Sequence, residues 1–253
     1  EIKECDWSSD VCSSDLAYRY KLQCLKGEYI KSIFCASDTI KNLLVGNEIC
    51  DISSYGKYFI LSTPHYFLTV HLGMEGAITL NKKLNDTATL MLVTPTYELN
   101  IYQARIKIQE SKPEEYFDRR TDIMSKEYDT QRVLQRLNSK KYANKEIGDA
   151  LMDQDIFTGV GNIIRNEVLF RCKIHPQSLV NQLSLNQLNK LASECSVYGF
   201  IFFKRLLEGT LYTKTDVYKK HVCPIHKTPL TVYVGGKVKR HTFVCETCQK
   251  LYS

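Results

Sequence analysis

The chain has 253 residues, 43% hydrophobic and 25% charged, with a formal net charge of +6. This is the composition of a folded protein with room for two modest domains, and it excludes a disordered or low-complexity chain. No run approaches the roughly 20 apolar residues of a membrane helix, and the first twenty positions hold no apolar signal segment, so a cytoplasmic location is expected.

The opening CDWSSDVCSSDL repeats its Ser-Ser-Asp triplet at 8–10 and 13–15 and follows neither a helical nor a strand period. Residues 1–16 therefore read as non-native, a cloning or assembly remnant joined to the true gene, in preference to an ordinary flexible start. From about Leu25 to Glu110 the chain runs in short alternating segments, Tyr58–Ser62, Tyr66–Leu72, Ala77–Leu80, Thr89–Val93 and Leu99–Lys107, broken at Gly56, Pro64, Gly73 and Pro95. Their Thr, Tyr, Val and Ile content suits half-buried pleated surfaces, and the spacing predicts a sandwich of two sheets over residues 17–110.

The charged stretch SKPEEYFDRRTD, residues 111–122, reads as a linker, after which the period becomes helical. Helices are predicted over Lys126–Leu137, over about Asn144–Asp153, and from Ser184, where Leu188, Leu191, Cys195, Tyr198 and Phe202 recur every three or four residues and Gly209 reads as the C-cap. These make a helical domain over 123–215. Residues 216–253 return to strand character about a Gly235-Gly236 turn.

Residues 201–253 hold ten Lys/Arg against three Asp/Glu, leaving 24 against 25 in the rest. Basic charge gathered at one end suits a polyanionic partner, although a basic tail alone is commonly just solvated surface. Of the ten cysteines, Cys24, Cys35, Cys50, Cys172 and Cys195 lie among apolar neighbours, as reduced buried thiols do. Cys223, His226, Cys245 and Cys248 differ: C-x2-H, an 18-residue gap and C-x2-C supply four ligands for one closed tetrahedral Zn2+. With no open coordination position the ion would be structural, substituting for the core that so short a hairpin cannot bury.

In DALMDQDIFTGVGNIIRNEVLF, residues 149–170, Gly159 and Gly161 precede Asn162 at the start of an amphipathic run. Glycines there allow close backbone approach and exposed helix N–H groups suit a phosphate, but a structural turn with an Asn N-cap would give the same letters. Together with Leu151-Met152-Asp153-Gln154, Asn166-Glu167 and Ile174-His175-Pro176, this segment resembles the helix-two-turn-helix signature of the formamidopyrimidine-DNA glycosylase / endonuclease VIII family. His71-Leu72-Gly73-Met74-x-Gly76 and Gly56-Lys57-Tyr58 resemble that family's β-sandwich motifs, and Arg240-His241-Thr242-Phe243-Val244-Cys245 resembles its zinc-finger hairpin. The likeness runs in family order from about Gly27 to Gln249.

The resemblance implies an α+β fold: an N-terminal β-sandwich, a helical helix-two-turn-helix domain and a C-terminal zinc-finger β-hairpin. It implies a monomeric base-excision repair protein of bacterial, nucleoid-associated type acting on damaged double-stranded DNA, a glycosylase and abasic-site lyase nicking by β,δ-elimination. Asn162 and Arg240 would clamp phosphates flanking the extruded nucleotide, Lys57 and His71 would hold a neighbouring phosphate, and Met74 would wedge into the vacated stack. For His71 and Met74, hydrogen-bonded strand residue and core packing are the competing readings, and Glu167 is expected to orient helices without doing chemistry.

Three departures stand out. Family members carry an N-terminal Pro-Glu pair, the proline amine attacking sugar C1′, whereas this chain opens Glu1-Ile2, so the nucleophile is expected to be missing from the chain as given and Lys57 to be only a supporting group. His226 stands where the family has a zinc-ligating cysteine. After Tyr102 the chain reads Gln103-Ala104-Arg105-Ile106-Lys107, without the family's Arg-Arg-Phe-Gly run, which leaves oxidised purines and oxidised pyrimidines equally open as substrates. A non-catalytic binder of kinked DNA and a zinc-ribbon protein-interaction module are the alternatives, the latter disfavoured by the helical motif.

Overall fold

The computed structural model describes residues 14–73, 75–237 and 239–253. They fall into two compact units, 14–118 and 119–253. Residues 1–13, most of the opening read as non-native, lie outside the described residues, as does Met74; the last three residues of that opening enter helix α1 (Ser14–Lys21).

The first unit is the expected pair of antiparallel sheets. One, in the order β1-β6-β7-β5, is built from Ser32–Cys35, Leu90–Val93, Glu98–Tyr102 and Ala77–Leu80. The other, β2-β3-β4-β8, is built from Asp51–Tyr55, Tyr58–Ser62, Tyr66–His71 and Arg105–Glu110. Alternation decides what each strand buries. Leu90, Leu92, Leu99 and Ile101 from one sheet join Phe59, Leu61, Leu68 and Val70 from the other in a single core cluster, with Ile106 and Ile108 packed against it. Each fully buried side chain of this size contributes roughly 1.5–3 kcal/mol.

The run read as one strand over Leu99–Lys107 is two strands in different sheets. The chain turns at Gln103, whose φ is +47°, and crosses from β7 to β8. No Gly or Pro marks this corner; its one sign is a change of phase, the apolar residues being Leu99 and Ile101 before it and Ala104, Ile106 and Ile108 after it. Three short elements carried no periodic signal: β1, β2 and helix α2 (Asp38–Leu44), which is capped by the Ser37 hydroxyl accepting from the Ile40 N–H at 3.3 Å. Within 111–122 a single turn, α3 (Pro113–Tyr116), lays Tyr116 and Phe117 over Phe67 on the outer face of β4, with ring centroids 5.9 and 6.1 Å away.

The second unit holds α4 (Thr130–Leu137), α5 (Ile147–Met152), α6 (Asn162–Cys172), α7 (Leu185–Leu207) and the hairpin β9 (Thr231–Gly235) and β10 (Arg240–Val244). The first two helices are shorter than the apolar period suggests. Asp129 starts α4 four residues late by accepting the Gln131 N–H at 2.9 Å, and α5 starts only after the Glu146 backbone leaves extended geometry. Helix α7 begins at a capping box between Ser184 and Gln187, and its predicted stripe of Leu188, Leu191, Cys195, Tyr198 and Phe202 is buried. Its C-cap is Glu208, and Gly209, with φ +65°, is the residue beyond. Among the described residues no helix is long and apolar enough to cross a membrane.

Glu167 on α6 is wholly buried, and both carboxylate oxygens are used. One accepts the Asp216 N–H at 2.7 Å and the Tyr198 hydroxyl at 3.0 Å, the other the N–H groups of Val217 and Tyr218 at 2.9 and 2.8 Å. It fastens the 216–218 loop, which leads into the hairpin region, to α6 and α7, so the expected orienting role is a structural one. Glu167→Ala would strand three N–H groups, those of Val217 and Tyr218 buried and that of Asp216 half-buried, at roughly 1–3 kcal/mol for each buried one. Denaturant unfolding should therefore show a loss of about 3 kcal/mol or more, and a smaller loss for Glu167→Gln. An alanine variant as stable as the parent would show that the loop does not need this anchor.

Candidate nucleic-acid interface and metal centre

The helix-two-turn-helix segment is built around Gln154. Its amide donates to the carbonyls of Met152 and Val160, each at 3.0 Å, and its side-chain oxygen accepts the Gly159 N–H at 3.1 Å, folding the loop between α5 and α6 onto itself. Gly159 takes φ +94°, a conformation glycine adopts without the Cβ penalty. The chain then enters α6 with Gly161 as N-cap and no side-chain cap. This corrects the Asn N-cap alternative: Asn162 is the first helical residue, and its amide donates to the His241 carbonyl at 3.1 Å.

That bond is one of a set. Asn162, Arg165 and Asn166 lie at i, i+3 and i+4, on one face of α6. All three are buried, and all three meet the backbone beside Arg240. Arg165 donates to the His241 carbonyl at 3.2 Å and to the Thr242 hydroxyl at 2.7 Å. Asn166 accepts the Phe243 N–H at 2.8 Å and donates to the Asn162 carbonyl at 2.8 Å. From the other end, the Asp149 carboxylate of α5 accepts the Lys237 N–H at 3.0 and 3.2 Å, and Gly236 at φ +75° leaves room for it. A Cβ at Gly236 would sit 2.3 Å from the Asp149 oxygen.

The structure thus brings together two residues 78 positions apart, Asn162 and Arg240, at the N-terminal end of α6. The helix dipole makes that end positive. Burial pulls the Arg165 guanidinium down from its usual range, Tyr233 and Asp149 push it back up, and the nearby positive charge of Arg240 lowers it again. Arg165 is spent on the protein, donating to the His241 carbonyl and the Thr242 hydroxyl, so the groups left to meet an anion here are Arg240 and the α6 N-terminus. Arg165 was not singled out from sequence, although its position on the Asn162–Asn166 face, among Ile, Val and Leu, is a legible sign of a polar seam.

The ligand atoms of Cys223, His226, Cys245 and Cys248 lie within 4.8 Å of one another. The Cys223 and Cys248 sulfurs are 3.7 Å apart, close to the edge of about 3.8 Å that follows from Zn–S bonds of about 2.3 Å in a tetrahedron. The Cys248 sulfur and His226 Nδ1 are 3.1 Å apart. Burial pushes the Cys245 thiol up, but the Cys248 backbone and the neighbouring ligands outweigh it and bring it down to about 6. Burial and those same sulfurs drive Cys248 up to about 12. The second thiolate is costly only while no cation shares the cluster, so the donor set fits one bound metal ion.

In the first unit, Gly56 at φ +53° and Lys57 form the two-residue turn between β2 and β3. His71 ends β4 opposite Arg105, accepts the Gly73 N–H on Nδ1 at 3.1 Å, and meets the Tyr58 ring edge-on at 5.4 Å. Burial, with Arg105 and Lys57 nearby, lowers its pKa below the usual 6.5. Its ring is hydrogen-bonded and lies in a basic neighbourhood that also holds Lys57. The assignment of Met74 falls outside the described residues.

If the ion holds the hairpin, a strong chelator should release the protected amides of β9 and β10, read by hydrogen exchange, while α6 and α7 keep their helical signal. Unchanged protection at Phe243 after metal removal would show that the α6 seam holds the hairpin unaided.

Two family models match the chain: the formamidopyrimidine-DNA glycosylase N-terminal domain over residues 20–121 and the formamidopyrimidine-DNA glycosylase H2TH domain over residues 121–197. Endonuclease 8-like 3 of Homo sapiens is 29% identical over 224 residues, 85% of this chain but 37% of that protein, so the chain spans little more than a third of that relative's length. Formamidopyrimidine-DNA glycosylase of Mycoplasma pneumoniae is 27% identical across 83% of this chain and 84% of its own. The same architecture recurs in a Lactococcus lactis formamidopyrimidine-DNA glycosylase solved with abasic-site DNA, at TM-score 0.82 and 22% identity over 96% of this chain and 99% of that one. It recurs also in a viral DNA glycosylase, at TM-score 0.79 and 23% identity over 95% of this chain and 100% of that one. The chain belongs to the formamidopyrimidine-DNA glycosylase / endonuclease VIII family.

Proposed function

We propose that the protein acts in base-excision repair as a DNA glycosylase and abasic-site lyase, releasing an oxidised base and nicking the strand by β,δ-elimination. The observation that carries this reading is the placement of Arg240 beside the α6 N-terminus, fixed by hydrogen bonds between the side chains of Asn162, Arg165 and Asn166 and residues 241–243. Asn162 and Arg240 clamp the phosphates on either side of the damaged nucleotide, and a fixed positive site of this kind holds a kinked backbone. Lys57 and His71 contact a neighbouring phosphate, and Met74 fills the space the extruded base leaves.

The ion held by Cys223, His226, Cys245 and Cys248 is a structural zinc, keeping β10 and hence Arg240 in place. The lyase step needs an amine at the sugar C1′, where the imine acidifies the neighbouring sugar proton and permits elimination. In family members that amine is the N-terminal proline, with Lys57 as a supporting cation. Substrate and partner are damaged double-stranded DNA, bound by a monomer in the cytoplasm.

Borohydride trapping on an abasic-site duplex tests the chemistry, comparing the chain as given with one whose start encodes Pro-Glu. The expected outcome is a covalent adduct with the Pro-Glu form, and at least tenfold weaker duplex binding for Arg240→Ala with the helical signal intact. No adduct from either form, with DNA binding retained, would favour a non-catalytic binder of damaged DNA. Unchanged affinity in Arg240→Ala would remove the clamp.

A further inference from the structure

The outer face of β4 and β8 carries a cavity of about 220 Å³ that the family reading does not use as such. Strand alternation builds it: Ile106 and Ile108 turn to the core, so Arg105 and Lys107 stand outward beside His71 and Thr69, their cross-strand partners. Among the described residues neither Arg105 nor Lys107 is in an ion pair, and both are exposed. The opposite wall is aromatic. Tyr58 and Tyr116 are 37% and 57% exposed, and Phe117 packs between them, 6.1 Å from Tyr58 and 5.0 Å from Tyr116 by ring centroids.

Exposed cations without counter-ions facing exposed aromatic rings across a small cavity are the two halves of a nucleotide site. The cations take a phosphate, and the rings offer a stacking surface to a base of any identity. A base within a duplex is already stacked on both faces, so the occupant must be unpaired. The cavity is also too small for a duplex and is continuous with His71, next to the phosphate assigned above to Lys57 and His71.

We propose that this cavity binds one unpaired nucleotide of a DNA strand, its phosphate against Arg105 and Lys107 and its base against Tyr116 and Tyr58. This rests on the DNA-binding reading given above and extends it to a second, sequence-indifferent contact. Because the base is held by stacking, the site adds affinity for unpaired DNA without choosing a lesion.

The test is fluorescence anisotropy of the full chain with two probes, a labelled oligodeoxythymidylate and a blunt abasic-site duplex, over a range of salt. Tyr116→Ala is expected to weaken the single-stranded probe roughly fivefold or more while leaving its salt dependence unchanged. Lys107→Ala should weaken it too and reduce the slope of log K against log salt by about 0.7, the loss of one phosphate contact. Both side chains are surface groups, so neither change threatens the fold, and Arg240→Ala serves as the comparison. If both variants bind the oligodeoxythymidylate like the parent while Arg240→Ala loses the duplex, the cavity assignment is overturned and the family reading stands. If the parent binds neither probe, both fall.

Discussion

The polar seam between α6 and β10 is the constraint on which the functional half of the second unit depends. A two-stranded hairpin cannot bury a core of its own, and Val232 and Val234 on β9 are about half exposed. What fixes its place is a set of hydrogen bonds from three buried side chains of one helix to three consecutive residues of one strand. Buried polar groups that are paired specify a geometry more sharply than apolar packing does, because any other arrangement would leave them unpaired. The seam therefore sets the distance from the helix N-terminus to Arg240.

Two further anchors act on the same hairpin at its ends. The Cys3His cluster ties its base, through Cys245 directly after β10, and Asp149 ties its tip, through the Lys237 N–H. Glu167 acts one step back, holding 216–218 against α6 and α7. The seam, the Cys3His cluster and Asp149 act on the hairpin itself, and Glu167 acts on the segment that leads towards it. Such a hairpin presents a charged residue with little freedom, and a phosphate clamp needs its ordering cost met before the ligand arrives.

Much of this was legible from residue type and spacing. The strands Tyr58–Ser62 and Ala77–Leu80, the stripe of α7 and the four metal ligands follow from periods of 2 and 3.6 and from paired C-x2 spacing. What escaped lacked a local signal. β1, Ser-Ile-Phe-Cys, and β2, Asp-Ile-Ser-Ser-Tyr, do not alternate apolar with polar residues, and the corner at Gln103 has a left-handed backbone with a residue that does not advertise one. Arg165 shares the Asn162–Asn166 face, which marks a polar seam, but its partner, the His241 carbonyl, is 76 positions away and comes opposite it only in the fold. The cavity over β8 needed both the strand register and the return of Tyr116 and Phe117 over the sheet.

The most direct measurement of the central claim is the affinity of Asn166→Ala for an abasic-site duplex, taken with its metal content and helical signal. Asn166 is buried, and its side-chain amide oxygen accepts the Phe243 N–H three residues from Arg240. With metal bound and helices intact, the variant is expected to lose at least tenfold in affinity, because Arg240 is no longer held opposite Asn162. Affinity equal to the parent's under those conditions would contradict the claim that the seam positions the clamp.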